Sequence, residues 1–292
     1  MIKLNRFNIK QHGFCGIYNK TKQPIDTKKI IIVLGGSEGN ENVPLNVGKM
    51  LADNGFSSLG ICYWNVEGLP NQLIQVPIDP FESAINWIKS QGYEKIYIYG
   101  ISKGAELALL VASIFKEISG VIALSPSHCI WGGIKGNQSL FSKTFTDQSE
   151  FTWRNKSFPC MVANLTYAPA IKNLILQKQF NLKYIYENPL KNFNEDTAIP
   201  VENIKGNILF IYATEDLMWN SKNSVKYMIN RLKTNNWQYK FKELEYEKAS
   251  HILVPMNPSS LKMFKVEREY PEECKKNRQD AFEKTLLWLK DQ

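Results

Sequence analysis

The sequence predicts an α/β protein built on a mostly parallel, doubly wound sheet with one inserted segment. Three observations carry that expectation. Short, largely apolar runs (Lys29–Leu34, Ile96–Tyr99, Gly120–Pro126 and Gly206–Ala213) read as strands buried on both faces. Helix-patterned stretches lie between them, so strand and helix alternate along the chain. One strand-to-helix joint reads Gly100-Ile-Ser-Lys-Gly104, a G-x-S-x-G set where a strained turn would lift a serine hydroxyl out of a sheet.

Taken in order, Lys3–Asn8 and Phe14–Tyr18 look like strands, separated from Lys29–Leu34 by a polar turn containing Pro24. Gly35-Gly-Ser-Glu-Gly39 follows the third strand. It lacks both the Gly-Lys-Ser/Thr of a phosphate loop and the spacing of a dinucleotide fingerprint, so nucleotide binding is disfavoured. Pro44–Asn54 reads as a helix with Val47, Met50 and Leu51 on one face, and Phe56–Tyr63 as a strand. After a loop over Trp64–Ile78, Asp79-Pro-Phe-Glu82 predicts a helix start, with Asp79 as cap and Pro80 in the first turn. From Ser127 to about Val201 the alternation breaks, which predicts an excursion over the strand ends, a lid. A helix is expected there over Ala168–Lys178, and Phe141, Phe145, Phe151, Trp153 and Phe158 either line an acyl pocket or form the lid's own small core. Further on, Asn223–Lys233 and Asn277–Lys290 read as helices and Trp237–Tyr246 as a strand. No repeat or linker divides the chain, which predicts one domain over 1–292 with the lid inserted at about 127–201.

Composition excludes some function classes. A hydrophobic fraction of 43% and a charged fraction of 22% are ordinary for a globular protein, and no apolar run is long enough for a membrane span. The net charge of +8 raises the question of an anionic partner, but the lysines are scattered and no nucleic-acid motif accompanies them. Five cysteines, an odd number without a CxxC pair, read as reduced thiols of a cytoplasmic protein. The N-terminus lacks the apolar core of a signal peptide.

A serine needs a base to take its proton, and imidazole suits neutral pH. The chain has three histidines. His12 precedes the core strands, and His128 could approach from the lid side. His251 alone sits after the last strand and before the last helix, where the order Ser…Asp/Glu…His requires the base. Glu215-Asp216 stands after the preceding strand, where the orienting acid belongs, with Asp216 preferred. The candidate constellation is therefore Ser102, Asp216 and His251. The Lys103 amide faces the oxyanion position and the Gly35–Gly39 loop fits the other half of the oxyanion hole.

Several stretches make the chain resemble the C-terminal α/β-hydrolase domain of the acyl-CoA thioesterase and bile acid-CoA:amino acid N-acyltransferase family. They are Val33-Leu-Gly-Gly-Ser-Glu-Gly39, Tyr99-Gly-Ile-Ser-Lys-Gly-Ala-Glu106, Phe151-Thr-Trp-Arg-Asn-Lys-Ser-Phe-Pro159, Ile199-Pro-Val-Glu-Asn-Ile-Lys-Gly206, Glu215-Asp-Leu-Met-Trp219 and Ser250-His-Ile-Leu-Val-Pro255. The resemblance implies an α/β-hydrolase fold with Ser102 as nucleophile, Asp216 as acid, His251 as base, and the amides of Ser37 and Lys103 as oxyanion hole. It departs from the family in two respects. Serine stands where the acyltransferase branch carries cysteine, and about 28 residues precede the first core strand, too few for the N-terminal β-sandwich of the long members. The expected activity is hydrolysis of an acyl thioester or ester, a small-molecule substrate, with no metal or organic cofactor. The alternatives are a general carboxylesterase, a dienelactone-hydrolase-like or peptidase-like activity, or a catalytically silent binding protein on the same fold.

Overall fold

The computed structural model describes residues 5–136, 144–164, 171–173, 175–176, 179–256 and 259–292. The chain opens with β1 (Asn5–Phe7), the single turn α1 (Ile9–His12) and β2 (Cys15–Asn19). It continues through β3 (Lys29–Leu34), α2 (Asn42–Asp53), β4 (Ser57–Cys62), β5 (Val76–Pro77), α3 (Pro80–Ser90), β6 (Lys95–Ile101), α4 (Lys103–Ile114) and β7 (Ile118–Leu124). Next come β8 (Gly132–Lys135), β9 (Thr144–Ser149), β10 (Phe151–Trp153), β11 (Lys156–Ser157) and α5 (Lys183–Leu190). The last elements are β12 (Asn207–Ala213), α6 (Ser221–Thr234), β13 (Phe241–Tyr246), α7 (Lys265–Glu269) and α8 (Pro271–Lys290).

Eight of these strands form one sheet in the order β1-β2-β4-β3-β6-β7-β12-β13. From β4 to β13 every neighbouring pair is parallel, while β2 runs antiparallel to both β1 and β4. The two N-terminal strands, expected to precede the core sheet, extend it instead. They bring Cys15 directly opposite Cys62, although the two are far apart in sequence.

The unbroken apolar runs are explained by burial on both faces. Ile30, Ile32 and Leu34 of β3 join a core with Phe81, Ile85 and Ile88 of α3, Leu107 of α4 and Met228 of α6. Ile31 and Val33 turn the other way, toward Val47 and Leu51 of α2 and Phe282 and Leu289 of α8. A third cluster, with Trp131, Met161, Tyr186, Trp219 and Phe264, gathers the segment between β7 and β12 against the loops that follow β12 and β13.

Two expectations change here. Asp79 does not cap α3. Its own backbone is helical and its side chain makes no cap bond. Its carboxylate instead accepts the backbone N–H of Arg154 at 3.3 Å, fastening the inserted segment to the helix start. The insert aromatics singled out in the sequence divide between clusters: Phe145 packs against both the main core and the third cluster, while Phe151, Trp153 and Phe158 go to the main core. Phe151 is fully buried in the main core, Trp153 packs edge-on to Phe115 at 5.2 Å, and β10 pairs in parallel with β5. Phe141 and most of the 168–178 helix lie outside the described residues, though Ile171–Asn173 and 175–176 are helical. Among the described residues no helix is long and apolar enough to cross a membrane.

Candidate active site

The site begins where β6 ends. Its two flanking glycines are required by close backbone approach: a Cβ on Gly100 would lie 2.1 Å from the Gly104 carbonyl oxygen, and one on Gly104 2.1 Å from that of Gly35. Between them Ser102 has φ 56° and ψ −122°, a conformation few non-glycine residues adopt. Its carbonyl accepts the N–H groups of Ala105 and Glu106, starting α4. The Lys103 amide therefore sits in the positive first turn of that helix.

The Gly35–Gly39 loop passes close by. A Cβ on Gly36 would lie 3.2 Å from that of Ser102. Tyr63, just past β4, holds the loop by donating its hydroxyl to the carbonyls of Gly35 at 2.9 Å and Gly36 at 3.1 Å. The same loop carries Ser37, so the two predicted oxyanion donors come from segments in contact.

The end of β7 gathers the rest. Leu124 accepts the N–H of Ser102 at 2.9 Å, and the neighbouring Ser125 donates its hydroxyl to the His251 carbonyl at 2.7 Å. Ser125 also accepts the indole N–H of Trp219 at 2.9 Å, and that ring meets the His251 imidazole edge-on with centroids 5.7 Å apart. His251 Nδ1 lies 2.7 Å from Asp216 Oδ2. Asp216 is buried and further fixed by the Met218 N–H at 2.9 Å and the Ser221 hydroxyl at 2.5 Å. An ionised carboxylate only accepts, so this contact places the imidazole proton on Nδ1 and leaves Nε2 with its lone pair. Nε2 is buried with no hydrogen-bond partner among the described residues, so its bond to the Ser102 hydroxyl is not made in this state. Such bonds often tighten only around substrate.

Alternatives left open by the sequence fall elsewhere. Glu215 is exposed, whereas its neighbour Asp216 meets the imidazole. His12 is exposed in α1 and bonds to Asn8. His128 is buried against Ser224 at 2.9 Å and between the rings of Phe193 and Tyr227. Burial pushes its pKa down to about 4 despite the opposing charge of Glu195.

One feature escaped sequence reading. Lys103 is wholly buried, with its ammonium 2.7 Å from Glu150 and 3.2 Å from Glu106, both also buried. Burial disfavours the ammonium, but the two carboxylates more than offset it and hold the lysine above its ordinary range. Burial raises the Glu106 carboxyl, and burial together with the Glu106 charge raises that of Glu150, with Lys103 opposing both. Glu150 lies far along the chain from Lys103, and no local signal pairs them.

The fold and the elbow define the class: the chain has the α/β-hydrolase fold. A solved structure assigned as a dienelactone hydrolase, from Klebsiella pneumoniae subsp. pneumoniae, overlays on it with a TM-score of 0.54, covering 98% of this chain and 97% of that one at 14% identity. Residues 76–270 match the family described as BAAT / Acyl-CoA thioester hydrolase C terminal, and the chain belongs to that family. Human acyl-coenzyme A thioesterase 1 is 24% identical over 209 residues, 70% of this chain and 45% of the relative. Mouse bile acid-CoA:amino acid N-acyltransferase is 24% identical over 215 residues, 70% of this chain and 44% of the relative. The chain thus matches less than half the length of each relative.

Proposed function

We propose that this chain is a serine hydrolase that cleaves acyl thioesters of the acyl-CoA type, with Ser102 as nucleophile, His251 as base and Asp216 as orienting acid. The observation that carries the reading is the strained Ser102 backbone at the turn from β6 into α4, hydrogen-bonded to the end of β7, the strand end that also anchors the Asp216–His251 pair. His251 Nε2 takes the Ser102 proton as Oγ attacks the acyl carbonyl. The resulting oxyanion is held by the Ser37 and Lys103 amides, each such donor contributing on the order of 3 kcal/mol. Collapse breaks the carbon–sulfur bond, and the thiolate leaves with the proton from His251. Water, deprotonated by His251, then cleaves the acyl-enzyme and regenerates Ser102.

Membership of a family that includes thioester hydrolases supports a thioester over an oxyester, and serine at the nucleophile position supports water over an amine as acceptor. The segment at about 127–201 is proposed as a cap over the strand ends within a single domain. A cytoplasmic setting, from the cysteine pattern, belongs to the same proposal. Initial rates on matched acyl-CoA and p-nitrophenyl esters, with Ser102→Ala as control, test it. Serine-dependent preference for thioesters is expected; cleavage of short oxyesters alone would make the chain a carboxylesterase.

A further inference from the structure

A lysine without solvent is costly unless its charge is matched, and an apolar residue of similar volume often fills such a place with no loss of stability. Lys103, the residue after the candidate nucleophile, is only 1% exposed. Besides its two carboxylates, its ammonium lies 5.0 Å from the ring centre of Trp219, 5.8 Å from that of Tyr186 and 5.9 Å from that of Trp131. The three rings form an edge-to-face series, Trp131 to Tyr186 at 4.8 Å and Tyr186 to Trp219 at 5.3 Å, and Trp219 continues it to His251. The inserted segment closes on the same point. Glu106 accepts the Trp131 N–H at 3.1 Å, and the Glu150 N–H donates to the Trp131 carbonyl at 3.1 Å.

We propose that Lys103 is a positioning residue for the base: its ammonium, enclosed by Glu106, Glu150 and the rings of Trp131, Tyr186 and Trp219, holds the Trp219 indole against His251 and so fixes Nε2 relative to Ser102. The proposal rests on the reading of Ser102 as nucleophile and His251 as base. The first turn of α4 is pinned by the same side chain, which ties the oxyanion-side amide and the imidazole to one buried charge. Cations attract aromatic faces most strongly where water is excluded, as it is here. Removing the ammonium frees the Trp219 ring to tilt, and a displacement of about 1 Å at the base costs as much as 100-fold in rate.

Labelling by a fluorophosphonate tests this without knowledge of the natural acyl group, resolved into its maximal rate and its half-saturating concentration. Lys103→Met alone leaves a buried carboxylate uncompensated and risks misfolding, so the decisive variant is Lys103→Met/Glu106→Gln/Glu150→Gln, which removes all charge from the cluster while keeping its shape. Expected is a folded triple variant whose half-saturating concentration stays within about threefold while its maximal labelling rate falls about 10- to 100-fold. A control at a distant ion pair, Arg231→Met, which breaks the 2.6 Å contact with Glu202, is expected to lower the melting temperature and leave labelling unchanged. A folded triple variant that labels at the wild-type maximal rate would overturn the positioning role while leaving the nucleophile reading intact. Failure of the wild-type protein to be labelled at Ser102 would overturn both.

Discussion

At the scale of single residues, the site turns on which of two adjacent carboxylates meets the imidazole. Asp216 Oδ2 contacts His251 Nδ1 at 2.7 Å, while Glu215 is exposed. Asp216→Asn is therefore expected to lower kcat by about 10⁴-fold through loss of the productive tautomer, while Glu215→Gln keeps wild-type turnover. Steady-state rates on the best thioester substrate decide this, and equal losses in the two variants would contradict it. The strained turn at Ser102 and the Asp216–His251 contact were legible in the sequence because chain order and loop position restrict each residue to one or two candidates. The Tyr63 hydroxyl on the Gly35 and Gly36 carbonyls was not, because a tyrosine after a strand carries no mark of the loop it will reach. Lys103 was visible only as a backbone amide; its side chain finds Glu150 through tertiary packing alone.

Among the elements, the turn from β6 into α4 is the least tolerant of change. Gly104→Ala would drive a methyl group into the Gly35 carbonyl oxygen, 2.1 Å from the ideal Cβ position. The expected cost is about 1–3 kcal/mol or more in urea unfolding, because backbone rather than a flexible side chain must yield. β10 offers a second test. A detached lid would lose its aromatics with little effect on the body, but Phe151 is buried in the main core beneath Tyr63. Phe151→Ala is thus expected to destabilise the whole fold by about 3–5 kcal/mol in one cooperative transition, and a loss below 1 kcal/mol would contradict that packing. The central strands were legible as continuous apolar runs. β5 and β10 were not, since two- and three-residue strands pair only with remote partners. The Asp79 cap failed because the Arg154 N–H competes for the same carboxylate.

For the molecule as a whole, the doubly wound sheet follows from its sequence pattern: strands apolar on both faces need helices on both sides. Its edge was less legible, since the short polar-alternating β1 gives no sign of joining the main sheet. Global stability carries a pH signature from His128, whose pKa in the folded state is about 4 against an ordinary 6.5. Above that ordinary value the buried neutral ring is at no disadvantage. As pH falls from there toward 4, the unfolded chain takes up a proton that the folded one refuses, so stability declines. Between pH 7 and 4.5, His128→Asn is expected to lose about 2 kcal/mol less than the wild type in urea unfolding; an equal loss would count against the buried neutral ring. The central claim, that Ser102 becomes acylated by a thioester, is tested most directly by mixing the protein with an acyl-CoA, quenching in acid and mapping the modified peptide by mass. An acyl adduct on Ser102, absent from Ser102→Ala together with turnover, is the expected result. Thioester cleavage that persists in Ser102→Ala with no adduct would contradict it.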